Sequence, residues 1–376
     1  MEQSEDPTCS PELVQALRLN LVKGIGPRAQ QLLLAKFGSH ENVLRASVKE
    51  LTYVRGIGQK LAQSIREARN DERVFSELQK CREQGVRIFT RKHEQYPFLL
   101  NEISDPPEIL YVRGEFHEKD KKSIGIVGSR RCSLYGQLQA EKLAAGLARA
   151  GITVVSGLAR GIDAHAHRGA LEAGGRTIAV MATGLANVYP PEHRDLMEDV
   201  ERNGAVLSES ALDQEALPGL FPQRNRIISG LSLGVVIVEA AQRSGALHTA
   251  RHAMEQNRDV FAVPGRIDHP ESVGCLNLLK DGAILVRSVD DILNEIASMP
   301  FLGEQNIETE ESTVEIPELN ELESSVFDLI SRDPQSIDQL LQTSTLESSK
   351  VLSTLTFLEM KRIVTRLPGG LIARKN

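Results

Sequence analysis

A chain of 376 residues that is 41% hydrophobic and 25% charged has the composition of a soluble globular protein with two or three domains. No apolar run approaches 18 residues, and the N-terminus, MEQSEDPTCSPELVQ, lacks a basic stretch followed by an apolar core, so neither a membrane span nor a secretory signal is expected and the cytoplasm is the expected location. The formal charge of −7 argues against a nucleic-acid binder only until its distribution is read: residues 301–325 hold eight glutamates and no Lys or Arg, the rest of the chain carries +1, and residues 124–168 alone carry +4.

The first segment, expected as a helical domain over residues 1–90, contains VKGIGPRAQQLLLAKFGS (22–39) and VRGIGQKLAQSI (54–65). Each places Gly-Ile-Gly before a helical pattern, an internal repeat about 32 residues apart, from Gly24 to Gly56. Such a turn between two short helices lets backbone approach a phosphate, with free amides at the start of the second helix. The pattern is that of a SAM-like helix-hairpin-helix pair. A helical bundle whose glycines only make tight turns accounts for the same residues, so both readings stand.

The second segment, 91–297, alternates strand and helix. Its apolar runs are IGIV (124–127), ITVV (152–155), TIAVMA (177–182), AVLS (205–208), VVIVE (235–239), VFAV (260–263) and AILV (283–286). They are short, β-branched and continuous, as strands covered on both faces are. Between them lie amphipathic stretches such as QLQAEKLAAGLARAG, with Ala140, Leu143, Ala144 and Leu147 at helical spacing. The expected fold class is α/β: an extended Rossmann-like, doubly wound, mostly parallel sheet, with the helical domain in front and a third domain behind.

Residues 298–318 read as an acidic flexible linker, because glutamates with few apolar neighbours cannot bury a core. Residues 319–376 read as three short helices and a two-strand wing turning at Pro368, Gly369 and Gly370, a winged-helix pattern. Its third helix, expected at about 346–360, carries one lysine and two glutamates. DNA reading and a partner-binding or structural role both stay open for it.

Several loops follow strands directly and should converge at the carboxyl edge of the sheet. They carry Gly128-Ser129-Arg130-Arg131, then Ser156-Gly157 through Arg160 to Asp163, then Thr183-Gly184, then AAQRSGALHTA (240–250) and Pro264-Gly265; Arg224, Asn225 and Arg226 precede strand 235–239. Glycines let amides approach an anion, and the planar fork of arginine matches phosphate oxygens. At least five arginines around one crevice exceed what one phosphate needs, which points to a nucleic-acid backbone. The dinucleotide fingerprint G-x-G-x-x-G is absent after the first strand. Some of these arginines can instead pair structurally, Arg160 with Asp163 and Arg243 with Glu239.

Catalysis has little support. Ser129, Ser156 and Ser244 sit in loops without a G-x-S-x-G elbow, and Glu239 ends a strand with no paired carboxylate, where it serves either as a general base or as an acceptor for loop amides. The four cysteines, Cys9, Cys81, Cys132 and Cys275, form no C-x-x-C pair. His165 with His167 and His248 with His252 each offer a metal two ligands but lack a matching cluster. No metal, no cofactor and no enzymatic activity are expected.

Five stretches in order, YPFLLNEISDPPEILYVRG (96–114), IGIVGSRRCSLYG (124–136), VSGLARGIDAHAHRGAL (155–171), FPQRNRIISGLS (221–232) and SGALHTARHAMEQNRDVFAVPG (244–265), closely resemble the DNA-processing protein DprA (Smf) family over roughly residues 90–290. The resemblance implies a cytoplasmic, non-enzymatic, homodimeric protein of natural transformation. It would bind incoming single-stranded DNA and help load the RecA recombinase past single-strand binding protein, alongside other competence proteins. It assigns the strand to Gly128, Ser129, Arg130, Gly157, Arg160, Arg224, Asn225, Arg226, Ser244, Gly245 and Thr249. Ala182, Ala186, Asn187 and Arg266 depart from the family pattern and bear on one side of the pocket. The sheet also resembles lysine-decarboxylase-like nucleotide phosphoribohydrolases, the enzyme alternative, but their P-G-G-x-G-T-x-x-E motif is not matched by AGGRTIAVMA (173–182). A nucleotide-sensing binding protein is the third class.

Overall fold

The computed structural model describes residues 10–297 and, beyond them, 321–330, 335–336, 340–341, 344, 346–361, 364–367 and 371–374. The described residues up to Ala297 form one compact unit and those from Glu321 form a second. The expected acidic linker lies outside the described residues. No helix among them is long and apolar enough to cross a membrane.

Six helices open the first unit: α1 (Pro11–Asn20), α2 (Pro27–Phe37), α3 (His40–Arg45), α4 (Val48–Thr52), α5 (Gln59–Glu67) and α6 (Arg73–Glu83). Ser10, Ser39 and Ser47 cap α1, α3 and α4 by accepting a free amide of the first turn, Ser47 within a capping box closed by Glu50. Helices α2 and α5 instead start from Gly26 and Gly58, which offer no side chain to their amides. Two residues earlier, Gly24 and Gly56 take φ of +92° and +89°, the left-handed region that costs glycine little. The helix-hairpin-helix turn is thus built twice, around one core that includes Val22, Leu33, Leu51, Ile57 and Ile65. Helices α1 and α6 face elsewhere: Leu13, Val14, Leu17, Val74 and Cys81 pack with Ile109, Tyr111, Leu196 and Met197 of the sheet region.

The nine-stranded sheet comprises β1 (Arg87–Thr90), β2 (Ile109–Gly114), β3 (Ser123–Val127), β4 (Thr153–Ser156), β5 (Thr177–Val180), β6 (Gly204–Ser208), β7 (Gly234–Ile237), β8 (Asp259–Ala262) and β9 (Ile284–Leu285), in the order β1-β2-β6-β5-β4-β3-β7-β8-β9. All seven expected runs are strands and pair in parallel. β1 and β2 add an antiparallel edge on β6 that the apolar runs did not signal. Alternate residues serve opposite faces: Ile178 and Val180 of β5 join one core cluster, Ala179 and Met181 the other. The helices are α7 (Phe98–Asn101), α8 (Leu134–Arg149), α9 (Ile162–Glu172), α10 (Arg194–Asn203), α11 (Leu220–Leu231), α12 (Ala246–Glu255), α13 (Val273–Lys280) and α14 (Val289–Ala297). α8 buries Ala140, Leu143, Ala144 and Leu147, the residues its spacing selects, and packs along α9. The first unit is therefore a doubly wound, mostly parallel sheet with a helical N-terminal part.

In the second unit, α15 (Glu321–Asp328), β10 (Gln335–Ser336), α16 (Ser348–Met360), β11 (Val364–Leu367) and β12 (Leu371–Arg374) form a winged helix around Val326, Ile330, Leu340, Val351, Leu355, Leu358, Val364 and Ile372. β12 pairs with both β11 and β10, so the wing has a third strand. The expected turn at Pro368, Gly369 and Gly370 lies outside the described residues.

Candidate functional site

Strand order reverses at β3, which lies between β4 and β7. Ligands of open α/β sheets bind at the carboxyl ends of strands at such a switch point. A crevice of about 730 Å³ opens there, lined by Gly128, Ser129, Arg130, Arg224, Asn225, Ser244, Gly245 and Thr249 among others. Gly157 and Arg160 line an adjoining niche that shares Arg130. Ten of the eleven expected residues therefore gather at one mouth. Arg226 does not. It is 2% exposed, ion-pairs with Glu209 and lies 3.4 Å from Asp105, on another side of α11.

The turn after β3 is held by Glu239. Its backbone oxygen accepts the Ser129 amide at 2.7 Å, and its carboxylate accepts the Ser133 amide at 2.8 Å and the Ser133 hydroxyl at 2.5 Å. Ser133 in turn caps α8 through the Gly136 amide. Of the two roles weighed for Glu239, the structure displays the acceptor of loop groups. Gly128 is tight against Ile162 and Glu239, so its missing Cβ is explained by packing.

The arginines divide by burial. Arg224 is buried and donates to the carbonyls of Gly157, at 2.6 Å, and of Val180. Burial pulls its pKa down, against the pull of Asp163 and with the help of Arg130, to about 10, so it keeps its proton at neutral pH. Asp163 accepts the Gly157 amide at 3.1 Å; burial pushes its carboxyl up, opposed by Arg224. This buried set fixes the loop after β4. Arg130 is exposed, has no ion-pair partner among the described residues, and lies over the Phe221 ring at 4.8 Å. Phe221 meets Tyr189 edge-on at 5.5 Å. Arg160 pairs at the surface with Glu192, 2.5 Å away, rather than with Asp163. Arg243 lines the crevice without an ion pair among the described residues.

Ser129 accepts the Arg131 amide, and the Asn225 side chain donates to the Gly245 carbonyl at 3.3 Å. The Thr249 hydroxyl is buried, lines the crevice and has no hydrogen-bond partner among the described residues. Ser156 donates to Ile126 inside the sheet, and none of Ser129, Ser156 and Ser244 is hydrogen-bonded to a histidine among the described residues. His165 and His167 diverge, one to Glu141 and one to Thr177. Among the departing residues, Ala182 lines the niche, Ala186 packs with the core, Asn187 donates to the Asp213 carbonyl and Arg266 pairs with Asp268. Phe221, Tyr189 and Arg243 were not singled out as site residues, although Phe221 heads the FPQRNR stretch.

Residues 87–297 match the family model of DNA recombination-mediator protein A, residues 310–370 that of the DprA winged helix domain, and residues 16–71 that of a SAM-like helix-hairpin-helix tandem. Protein Smf of Synechocystis is 35% identical over 93% of this chain and 95% of its own length. Of solved structures, DNA processing protein A of Streptococcus pneumoniae is similar with a TM-score of 0.66 and 36% identity, covering 75% of this chain and 97% of its own. DNA processing protein A of Helicobacter pylori, described for its single-stranded DNA binding mode, matches with a TM-score of 0.51 and 30% identity over 56% of this chain and 95% of its own.

Proposed function

The chain belongs to the family of DNA recombination-mediator protein A, and on that premise we propose that its switch-point crevice binds single-stranded DNA along the backbone, without sequence specificity and without cleaving it. One observation carries the reading: among the described residues, Arg130 presents an exposed guanidinium without an ion-pair partner in a crevice that is also lined by Thr249, whose buried hydroxyl has no hydrogen-bond partner. Cations that neutralise phosphates hold a strand of any sequence, and Tyr189 and Phe221 add aromatic surface to the crevice lining, which any base can use. Arg224 acts from behind, holding the loop and adding charge. The resemblance of the five motifs extends the proposal to a homodimer that hands the strand to a RecA-type recombinase, with single-strand binding protein as the competitor displaced.

The phosphoribohydrolase alternative needs a free carboxylate at the strand end, and both oxygens of Glu239 are taken up by Ser133. The test is affinity for oligonucleotides of dT, dA and duplex at several salt concentrations. Both single strands should bind more tightly than duplex. Arg130→Ala should flatten the salt dependence by about 0.7, the single-strand value for one phosphate contact. An unchanged slope in a variant that melts like wild type would remove Arg130, and with it the reading. Recombinase loading is tested separately, by the rate at which RecA coats a strand already covered by single-strand binding protein.

A further inference from the structure

We infer that the strand does not end at the crevice but runs over the start of α11 into a second cleft beside the first hairpin turn, and from there along the hairpin repeat. The inference rests on the single-strand reading above.

The second cleft, of about 890 Å³, is lined by Lys23, Gly24, Gly26, Gln30, Ser210 and Gln223 among others. One short stretch walls both spaces: Pro218, Phe221 and Pro222 line the crevice, while Leu217, Leu220 and Gln223 line the cleft. Gln30 is 4% exposed and its side-chain nitrogen has no hydrogen-bond partner among the described residues. A buried donor left without an acceptor costs about 1–3 kcal/mol, so this one calls for an acceptor supplied from outside the chain. The acidic groups of the lining are already engaged. Glu77 accepts the Leu212 amide at 2.7 Å, Glu108 lies 3.4 Å from Arg91, and Glu209 pairs with Arg226. Arg73 and Lys80 are spent on Asp71 and Asp213. What remains is the ammonium of Lys23 and the Gln30 amide, donors that suit an anionic, acceptor-rich ligand such as a phosphodiester.

The surface beyond continues in the same sense. Residues 22–66 hold eight basic and two acidic side chains, a formal +6 in a chain of −7. Lys23 and Arg28 flank the first turn, Arg55 and Lys60 the second. All four are exposed and none has an ion-pair partner among the described residues, whereas Arg45, Arg73, Lys80 and Lys92 each have one. Gly26 and Gly58 have φ of −90° and −81°, and a Cβ on either would meet nothing within 4 Å. Nothing among the described residues requires glycine there. A backbone passing close outside would. A Cβ on Gly24 would lie 3.7 Å from Leu61 of α5, so the two turns are neighbours. A single strand is flexible enough to follow crevice, cleft and turns in succession.

The experiment measures the full-length chain against labelled oligothymidylates of about 6 and about 30 nucleotides, lengths that bracket the usual site sizes. Two double variants, Lys23→Ala with Arg28→Ala and Arg55→Ala with Lys60→Ala, are compared with wild type. Both should bind the short oligomer within twofold of wild type. Both should bind the long one at least fivefold more weakly, with a salt slope reduced by about 0.7 per cation in contact. The four side chains are exposed and have no ion-pair partner among the described residues, and matching thermal melts confirm the fold. Equal losses at both lengths, or no loss at the long one, each overturn the continuous path. Arg130→Ala reports on the crevice by itself: if it leaves short-oligomer affinity unchanged, the single-strand reading fails, whatever the hairpin variants do.

Discussion

At the carboxyl edge of the sheet, Gly128, Gly157 and Gly161 face atoms of their own protein, whereas the glycines that open α2 and α5 face none among the described residues. A methyl at Gly128 would collide with Ile162, one at Gly157 with the Arg224 guanidinium, and one at Gly161 with the Ser129 carbonyl. These glycines let loops close over a buried charge set. Gly26 and Gly58 leave the first turns of α2 and α5 without a side-chain cap. The same residue in the same kind of motif does opposite work, and only the neighbours tell which. At the crevice the exposed cation is a side chain of the turn after β3, Arg130; at the hairpins the exposed cations Lys23, Arg28, Arg55 and Lys60 flank the glycine turns.

The hardest test of the closed edge is Gly161→Ala. Gly161 combines φ of +76° with a clash on backbone, so alanine there should cost about 3 kcal/mol, read as a lower denaturation midpoint. A variant that melts like wild type would break the comparison. The next effect is a pH dependence. His167 is wholly buried, with Nδ1 at 2.7 Å from the Thr177 hydroxyl, and burial chiefly, helped by His193, Arg224 and Arg168, pulls its pKa down to about 3. The unfolded chain binds this proton below about 6.5, and the folded chain does not until about 3. The stability His167 contributes is therefore full above pH 6.5 and lost on acidification, at about 1.4 kcal/mol per pH unit. His167→Gln should flatten the fall in stability between pH 6.5 and 4.5; an unaltered fall would mean that the edge is not sealed at this residue.

Arg130→Ala comes third. It should weaken single-strand binding about tenfold, roughly 1.4 kcal/mol, without moving the melting point, and Arg130→Lys should fall between because lysine keeps the charge but not the fork. The smallest effect sharpens the comparison most. Gly26→Ser and Gly58→Ser supply the missing caps in an extended backbone and should stabilise the fold by a few tenths of a kcal/mol. If they also weaken binding of long oligonucleotides, these glycines serve the ligand; if stability drops by more than about 1 kcal/mol, they are packing glycines after all.

Much of the sheet was legible because its parallel strands are buried on both faces and read as unbroken β-branched runs. The antiparallel edge was not. RIFT of β1 holds only two apolar residues, Ile88 and Phe89, and nothing in the apolar run ILYV of β2 records strand direction. The site was legible as a set of loops but not residue by residue. Arg224 and Arg226 look like a pair in RNR, yet two residues on a helix are about 200° apart, so one reaches the crevice loops and the other Glu209. Arg160 found Glu192 rather than Asp163, because Asp163 turns inward to the Gly157 amide at the start of α9. Close spacing in sequence predicts contact only within the periodicity of the element that carries it.

The packing of α1 and α6 bears on where the chain can be cut. The hairpin repeat lies between these two helices in the chain, and both bury apolar side chains against Ile109, Tyr111 and Leu196. A fragment begun at Arg87 would keep all nine strands and yet lose the apolar side chains of α1 and α6 that pack with Ile109 and Tyr111. The stretch from Val22 to Arg66 is thus held at both ends by helices that cover the sheet, and Gln31 adds a further tie by donating to the Ser104 carbonyl at 2.8 Å.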